Sequence, residues 1–224
     1  MTVSEVAASL HVSAREVVRM ADAGILPAMK VKEVWHFRSG EILNWIEKHL
    51  HSLPERRRRD RDPFAPGDLL IAPTLREEAV EIKLPAKTKA SVLRELARLA
   101  ESADPCIDAA SLTEALVERE ERGSTALQDG IAVPHPAKTV YSEGPVLAAA
   151  RTPGGIAFGQ RDGGLTDLFF LVCCPEPKTH LLYLGRLCRL LLDPELQDQL
   201  RTAETRSDFV DAICCAETRL CGQD

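Results

Sequence analysis

Residues 116–136 read LVEREERGSTALQDGIAVPHP. Leu112, Ala115 and Leu116 recur at helical spacing and lead on to Arg119, so a guanidinium follows an apolar stripe where burial is costly without an anionic partner. Gly123 is expected to end this helix, and Ser124-Thr125 then offers two hydroxyl donors. A short strand is expected over Gly130 to Pro134. His135 stands between Pro134 and Pro136, a setting that can continue neither a helix nor a ladder, so its ring is presented on a rigid loop. A cation, two hydroxyls and a loop imidazole together suit a phosphoryl group.

Helix and strand patterns alternate around this stretch. Thr88 to Glu101 carries Val92, Leu93, Leu96, Leu99 and Ala100 at helical spacing, and Asp108 or Ser111 opens the helix that reaches Arg119. Further strand signals lie at Pro145 to Arg151 and Leu165 to Cys174, with Gly, Pro and Asp turns between them. Leu181 to Leu192 reads as a long apolar helix, and Ser207 is expected to cap a last one through Phe209, Ile213 and Ala216. The pattern predicts an α/β/α sandwich with a mixed sheet, covered by helices on both faces. His180 aligns with Leu184, Leu187 and Leu191, so its ring points with the core face at the positive end of that helix. By itself such a residue is either a satisfied core histidine or a partner for an anion.

The first fifty residues have a different character. Thr2-x-x-Glu5 and Ser13-x-x-Glu16 are capping boxes eleven residues apart, each heading a short apolar helix, with a tight turn at His11-Val12. Val6, Ala7 and Leu10 form one apolar face and Val17, Val18 and Ala21 another, which lets the pair pack as a helix-turn-helix. Gly24 ends the second helix, and Val31, Val34 and Phe37 around a Lys/Glu interval suggest a two-stranded wing. Ser39 is expected to cap a third helix burying Ile42, Leu43, Trp45, Ile46 and Leu50. This order resembles the excisionase-like, MerR-related winged helix-turn-helix domains. The resemblance places Ser13, Arg15, Glu16 and Arg19 on the helix that such domains lay in the major groove, and Lys30 and Lys32 on the wing.

Leu53 to Gly67 reads LPERRRRDRDPFAPG and is expected to be a linker. Arg56 to Arg59 with Arg61 is either a solvated charge run or an arm for DNA phosphates. Up to Asp62 the chain holds 11 Lys and Arg against 9 Asp and Glu, and beyond it 17 against 25, so a net −6 divides into +2 and −8. That split suits two domains with different partners, residues 1–52 and 68–224. A balance of only +2 is a weak footprint for DNA, which leaves protein contact open for the first domain.

In the second domain, R-E-x-x-x-S-T, G-I-A-V-P-H and T-H-L occur in order. This combination resembles the enzyme IIA domains of the mannitol/fructose class in the sugar phosphotransferase system, in particular the nitrogen-regulatory branch, from about Asp68 to Thr218. The resemblance implies that His135 accepts a phosphoryl group from a histidine phosphocarrier protein. It further implies that His180 and Arg119 stabilise the phosphoryl oxygens and that Ser124 and Thr125 donate hydrogen bonds, with no metal or nucleotide cofactor. Pro136 departs from the Gly that many relatives carry and removes a backbone N–H from the loop. The chain then reads as a regulator whose phosphate state tunes DNA or protein binding. A carrier feeding a IIB component of a sugar permease, and a binding module that has lost transfer, are the two rival readings.

Composition excludes other classes. Hydrophobic residues make up 45% and charged residues 28%, which fits neither a disordered nor a fibrous chain. The longest apolar run, Leu168 to Cys174, is far short of the roughly twenty residues of a membrane span. Glu5 stands where a secretion signal carries positive charge. Seven cysteines without a C-x-x-C spacing, two pairs of them adjacent in apolar stretches, read as core filler in a reducing compartment. A cytoplasmic protein without membrane insertion is expected.

Overall fold

The computed structural model describes residues 1–10, 14–32, 34–38, 40–42, 45, 70–138, 142–160 and 163–222. The expected linker, with Arg56 to Arg59 and Arg61, lies outside them, as do Ser13, Ser39 and the His11-Val12 turn. The amino-terminal unit begins with α1 (Val3–Leu10) and α2 (Ala14–Asp22). The first capping box closes reciprocally: Glu5 accepts from the Thr2 N–H at 2.9 Å, and Thr2 Oγ1 accepts from the Glu5 N–H at 3.3 Å. Gly24, at φ +68°, ends α2, with the Ile25 N–H reaching back to the Met20 carbonyl and the Gly24 N–H to that of Ala21. That six-to-one and five-to-two pairing needs a left-handed residue at its centre. The wing forms from β1 (Met29–Val31) and β2 (Val34–His36), antiparallel, with Val31 opposite Val34. Val6, Ala7, Val17, Met20, Ala21, Leu26, Phe37, Ile42 and Trp45 make its buried interior.

Among the described residues the larger unit holds four strands, β3 (Leu75–Glu81), β4 (Ile131–Ala132), β5 (Val146–Ile156) and β6 (Thr166–Cys173), in the order β3-β5-β6-β4. The outer pairs are parallel and the central β5–β6 pair antiparallel, so the sheet is mixed. Alternation decides what each face meets. Val146, Ala148, Ala150, Phe169, Leu171 and Cys173 face α3 (Lys89–Ala103) and α4 (Ala109–Glu121). Leu147, Ala149, Leu168, Phe170 and Val172 share the other core with α5 (Pro177–Leu190), α6 (Pro194–Thr202) and α7 (Arg206–Gly222). Leu168 to Cys174 is apolar throughout because both of its faces are covered.

Local chemistry explains most of the helix starts. Thr88 Oγ1 and Ser91 Oγ exchange bonds with each other's backbone N–H at the head of α3, and the Asp108 carboxylate accepts from the Ser111 N–H at the head of α4. The last helix starts differently from expectation. Thr205 and Asp208 form its reciprocal cap, one residue on either side of the 206–207 pair. Two elements were not anticipated: β3, whose Arg76 to Glu78 point to solvent, and α6, capped by Asp193. The strand expected to stop at Arg151 runs to Ile156, with a break in register against β6 and Gly155 at φ +63°.

Candidate active site around two histidines

β4 is short because Pro134 has no N–H to continue it. Its extension stays fastened all the same: the Val133 N–H donates to the Thr125 carbonyl and the Val172 N–H to the Pro134 carbonyl. The loop therefore leaves the sheet between two neighbours at a defined angle, with His135 at the exit. His135 Nδ1 lies 2.9 Å from the Val133 carbonyl oxygen. A carbonyl only accepts, so Nδ1 carries a proton, and in the neutral ring the lone pair is on Nε2.

The second imidazole arrives from β6. After Cys174 the chain turns into α5, with Pro177 in its first turn and His180 one residue past Thr179. The Leu184–Leu187–Leu191 side of the helix is buried, which carries His180 inward with it. The two rings lie 5.3 Å apart between centroids, inclined by 50°. Forty-five positions apart in sequence, they meet because β4 and β6 are adjacent strands. His135 is 3% exposed and His180 7%, so both rings are closed to a macromolecule in the present conformation.

Arg119, Glu120, Ser124 and Thr125 build the turn that abuts the His135 strand. Arg119 is buried and donates from Nη1 to the Gly123 carbonyl at 2.9 Å, closing the end of α4. The Thr125 hydroxyl donates to Glu120 Oε2 at 2.7 Å, and the Ser124 hydroxyl to the Phe158 carbonyl at 3.2 Å. In this conformation both hydroxyl protons serve the fold. Glu120 is not distinguishable from sequence as a site residue, since EREER gives no sign of which carboxylate turns inward. Its carboxylate is buried, accepts the Thr125 N–H as well, and receives Lys89 Nζ at 3.1 Å. A continuous path results: Glu120 holds Thr125, the Thr125 carbonyl holds Val133, and the Val133 carbonyl holds the His135 ring.

On the amino-terminal unit, Arg15 and Arg19 are exposed one helical turn apart on α2, and Lys30 and Lys32 are exposed on the wing. Lys30 Nζ stands 5.7 Å from the Trp35 ring centroid. Lys32 sits at the hairpin turn with φ +47°.

Residues 74–214, well over half of the chain, match the family described as phosphoenolpyruvate-dependent sugar phosphotransferase system, EIIA 2. The chain belongs to this family. Residues 1–50 match a helix-turn-helix domain family, so an EIIA 2 domain follows a helix-turn-helix domain in one polypeptide. Among relatives, the chain is 32% identical over 145 residues to the fructose-specific EIIABC component of Bacillus subtilis, spanning 64% of this chain but only 23% of that protein. It is 33% identical over 126 residues to the nitrogen regulatory protein of Pseudomonas aeruginosa, covering 55% of this chain and 81% of the relative. The crystal structure of the nitrogen regulatory protein IIA-Ntr from Neisseria meningitidis superposes with a TM-score of 0.58 at 24% identity, over 64% of this chain and 98% of the other. That likeness establishes the EIIA-type α/β fold. No helix among the described residues is long and apolar enough to cross a membrane.

Proposed function

We propose that this EIIA 2 protein is a regulatory phosphocarrier in which His135 Nε2 takes a phosphoryl group from a histidine phosphocarrier protein. The observation that carries this reading is the Nδ1–H···O=C bond to Val133, which leaves the Nε2 lone pair as nucleophile beside a second imidazole. In the transfer, the Nε2 lone pair forms a new N–P bond while the donor's P–N bond breaks, and its electron pair returns to the donor imidazole. No net proton moves. Charge on the three phosphoryl oxygens is met by His180 in the first turn of α5, where backbone N–H groups point outward, and by Arg119. Ser124 and Thr125 would add hydrogen bonds on turning from their present acceptors. Transfer between two histidines is nearly balanced in energy, so neither metal nor nucleotide cofactor enters. Pro136 lowers the number of backbone donors at the loop without touching the nucleophile.

The first domain is read as the output, a DNA-binding unit working through Arg15, Arg19, Lys30 and Lys32, with residues 53–67 joining it to the carrier. Identity to a fructose-specific component favours a second reading, in which the phosphoryl group continues to a IIB component of a sugar permease.

Incubation of the full chain with phosphoenolpyruvate, enzyme I and phosphocarrier, followed by intact mass, tests the assignment. One acid-labile phosphoryl group is expected, absent in His135→Ala and slower to appear in His180→Ala. Full labelling of His135→Ala would refute it. For the output, DNA affinity should fall steeply with salt, and Arg15→Ala with Arg19→Ala should flatten that slope; binding indifferent to salt speaks for protein contact instead.

A further inference from the structure

His135 and His180 are buried, yet a nucleophile served by a protein donor must come within about 3–3.5 Å of the phosphorus in the reacting complex. Something on this face has to move first. α5, whose first turn holds His180, is also the element on which α1 of the helix-turn-helix domain rests. Val6 and Ala7 of α1 and Tyr183, Leu184 and Leu187 of α5 belong to one continuous apolar cluster. The chain entering the second domain is fastened to this same helix. Tyr183 Oη donates to the Leu70 carbonyl at 3.4 Å, and Arg186 Nε donates at 2.7 Å to Glu217. Glu217 in turn accepts the Ile71 N–H at 2.9 Å and the Ala72 N–H at 2.8 Å. α5 thus carries His180 in its first turn, holds the chain at Leu70 through Tyr183, and is in contact with α1.

We propose that the helix-turn-helix domain, seated on α5 through α1, keeps the His135–His180 pair closed, so that this domain and the phosphoryl donor are alternative occupants of one face. The proposal rests on His135 being the acceptor only for its consequence, that donor docking releases the domain. Closure itself is independent of that assignment. By linkage, whatever holds the domain elsewhere, such as DNA, opens the pair to the donor, and a donor on the face loosens the domain by the same factor. A contact between small apolar faces of two domains is the kind that opens readily.

Carbethoxylation by diethyl pyrocarbonate, read by peptide mass, measures closure without any phosphotransferase component. In the native full chain, His135 and His180 should react at least tenfold more slowly than exposed His36. In Ala7→Arg, which sets a long charged side chain on the buried face of α1, both should approach the His36 rate. Unfolding of the first domain by this substitution removes the same contact and leaves the expectation unchanged. The thermal transition of the second domain verifies that it stays folded, and Val3→Glu at a half-buried position repeats the test with a milder change. Equal rates for His135 and His36 in the native chain, or protection that survives in both variants, would overturn the proposal. Released protection in a variant that still takes no phosphoryl group would refute the acceptor assignment and leave closure standing. With an active acceptor, labelling should be about tenfold faster in Ala7→Arg.

Discussion

Replacing Glu120 by glutamine keeps the shape of the side chain and turns one acceptor oxygen into a donor amide. Each orientation sets a donor against a donor. With NH2 in place of Oε2, it faces the Thr125 N–H at 3.0 Å and forces the hydroxyl, 2.7 Å away, to turn from donor to acceptor; in place of Oε1, it faces Lys89 Nζ at 3.1 Å. A hydrogen bond to a buried charged group contributes about 1.5–3 kcal/mol net, and the Thr125 bonds are the ones fully withdrawn from water. The Lys89 side chain is 36% exposed, so screening and its own hydration hold that pair to about 1 kcal/mol or less. The expected loss for Glu120→Gln is therefore about 2–4 kcal/mol, and that for Lys89→Met about 1 kcal/mol or less. For a chain of this size, 2–4 kcal/mol corresponds to a drop in Tm of about 5–15 °C in calorimetry. The bonds run on from Thr125 through Val133 to the Nδ1 proton of His135, so the substitution should also slow phosphoryl transfer roughly tenfold, about 1.4 kcal/mol. Glu120→Gln melting within 2 °C of the native chain, or losing no more than Lys89→Met, would refute the reasoning.

Glu217→Ala takes the carboxylate from Arg186 Nε and from the Ile71 and Ala72 N–H groups, and should cost about 3–5 kcal/mol, read as a shift of the urea midpoint. Burial pushes the Cys174 thiol up to about 12 and the Cys173 thiol further, so neither supplies thiolate at pH 8. Iodoacetamide should mark exposed Cys214 and Cys215 first. Cys106 should follow more slowly, its thiol raised by partial desolvation and by the charges of Asp104 and Glu143. Cys173 and Cys174 should react only on unfolding, and native-state labelling of either would contradict their placement. Asp208 is held below the usual carboxylate range by its bonds to Thr205, so the cap of α7 is intact at neutral pH and lost as pH falls through its folded value; hydrogen exchange of the first turn of α7 should rise there in the native chain and not in Asp208→Asn.

What the sequence determines is local or periodic. Thr88, Asp108 and Thr2 act on N–H groups three residues away, so the helix starts at Thr2 and Thr88 are legible and that of α4 is narrowed to Asp108 or Ser111. Leu168 to Cys174 announces a strand buried on both faces by being apolar at every position. His135 between two prolines can sit only on a loop, and the alignment of His180 with three leucines already points its ring inward. The misses have equally physical causes. β3 was invisible because Arg76 to Glu78 face solvent in the middle of it, and Ser207 competes as a cap with Thr205, whose reciprocal bond with Asp208 settles the start of α7. Only the tertiary structure brings His135 and His180 to 5.3 Å, because strand order is decided by how whole faces of the sheet are covered. The same holds for Glu120. EREER puts three carboxylates on one helix, and the packing of α3 with Lys89 against α4 selects Glu120 as the one that turns inward and holds the His135 loop.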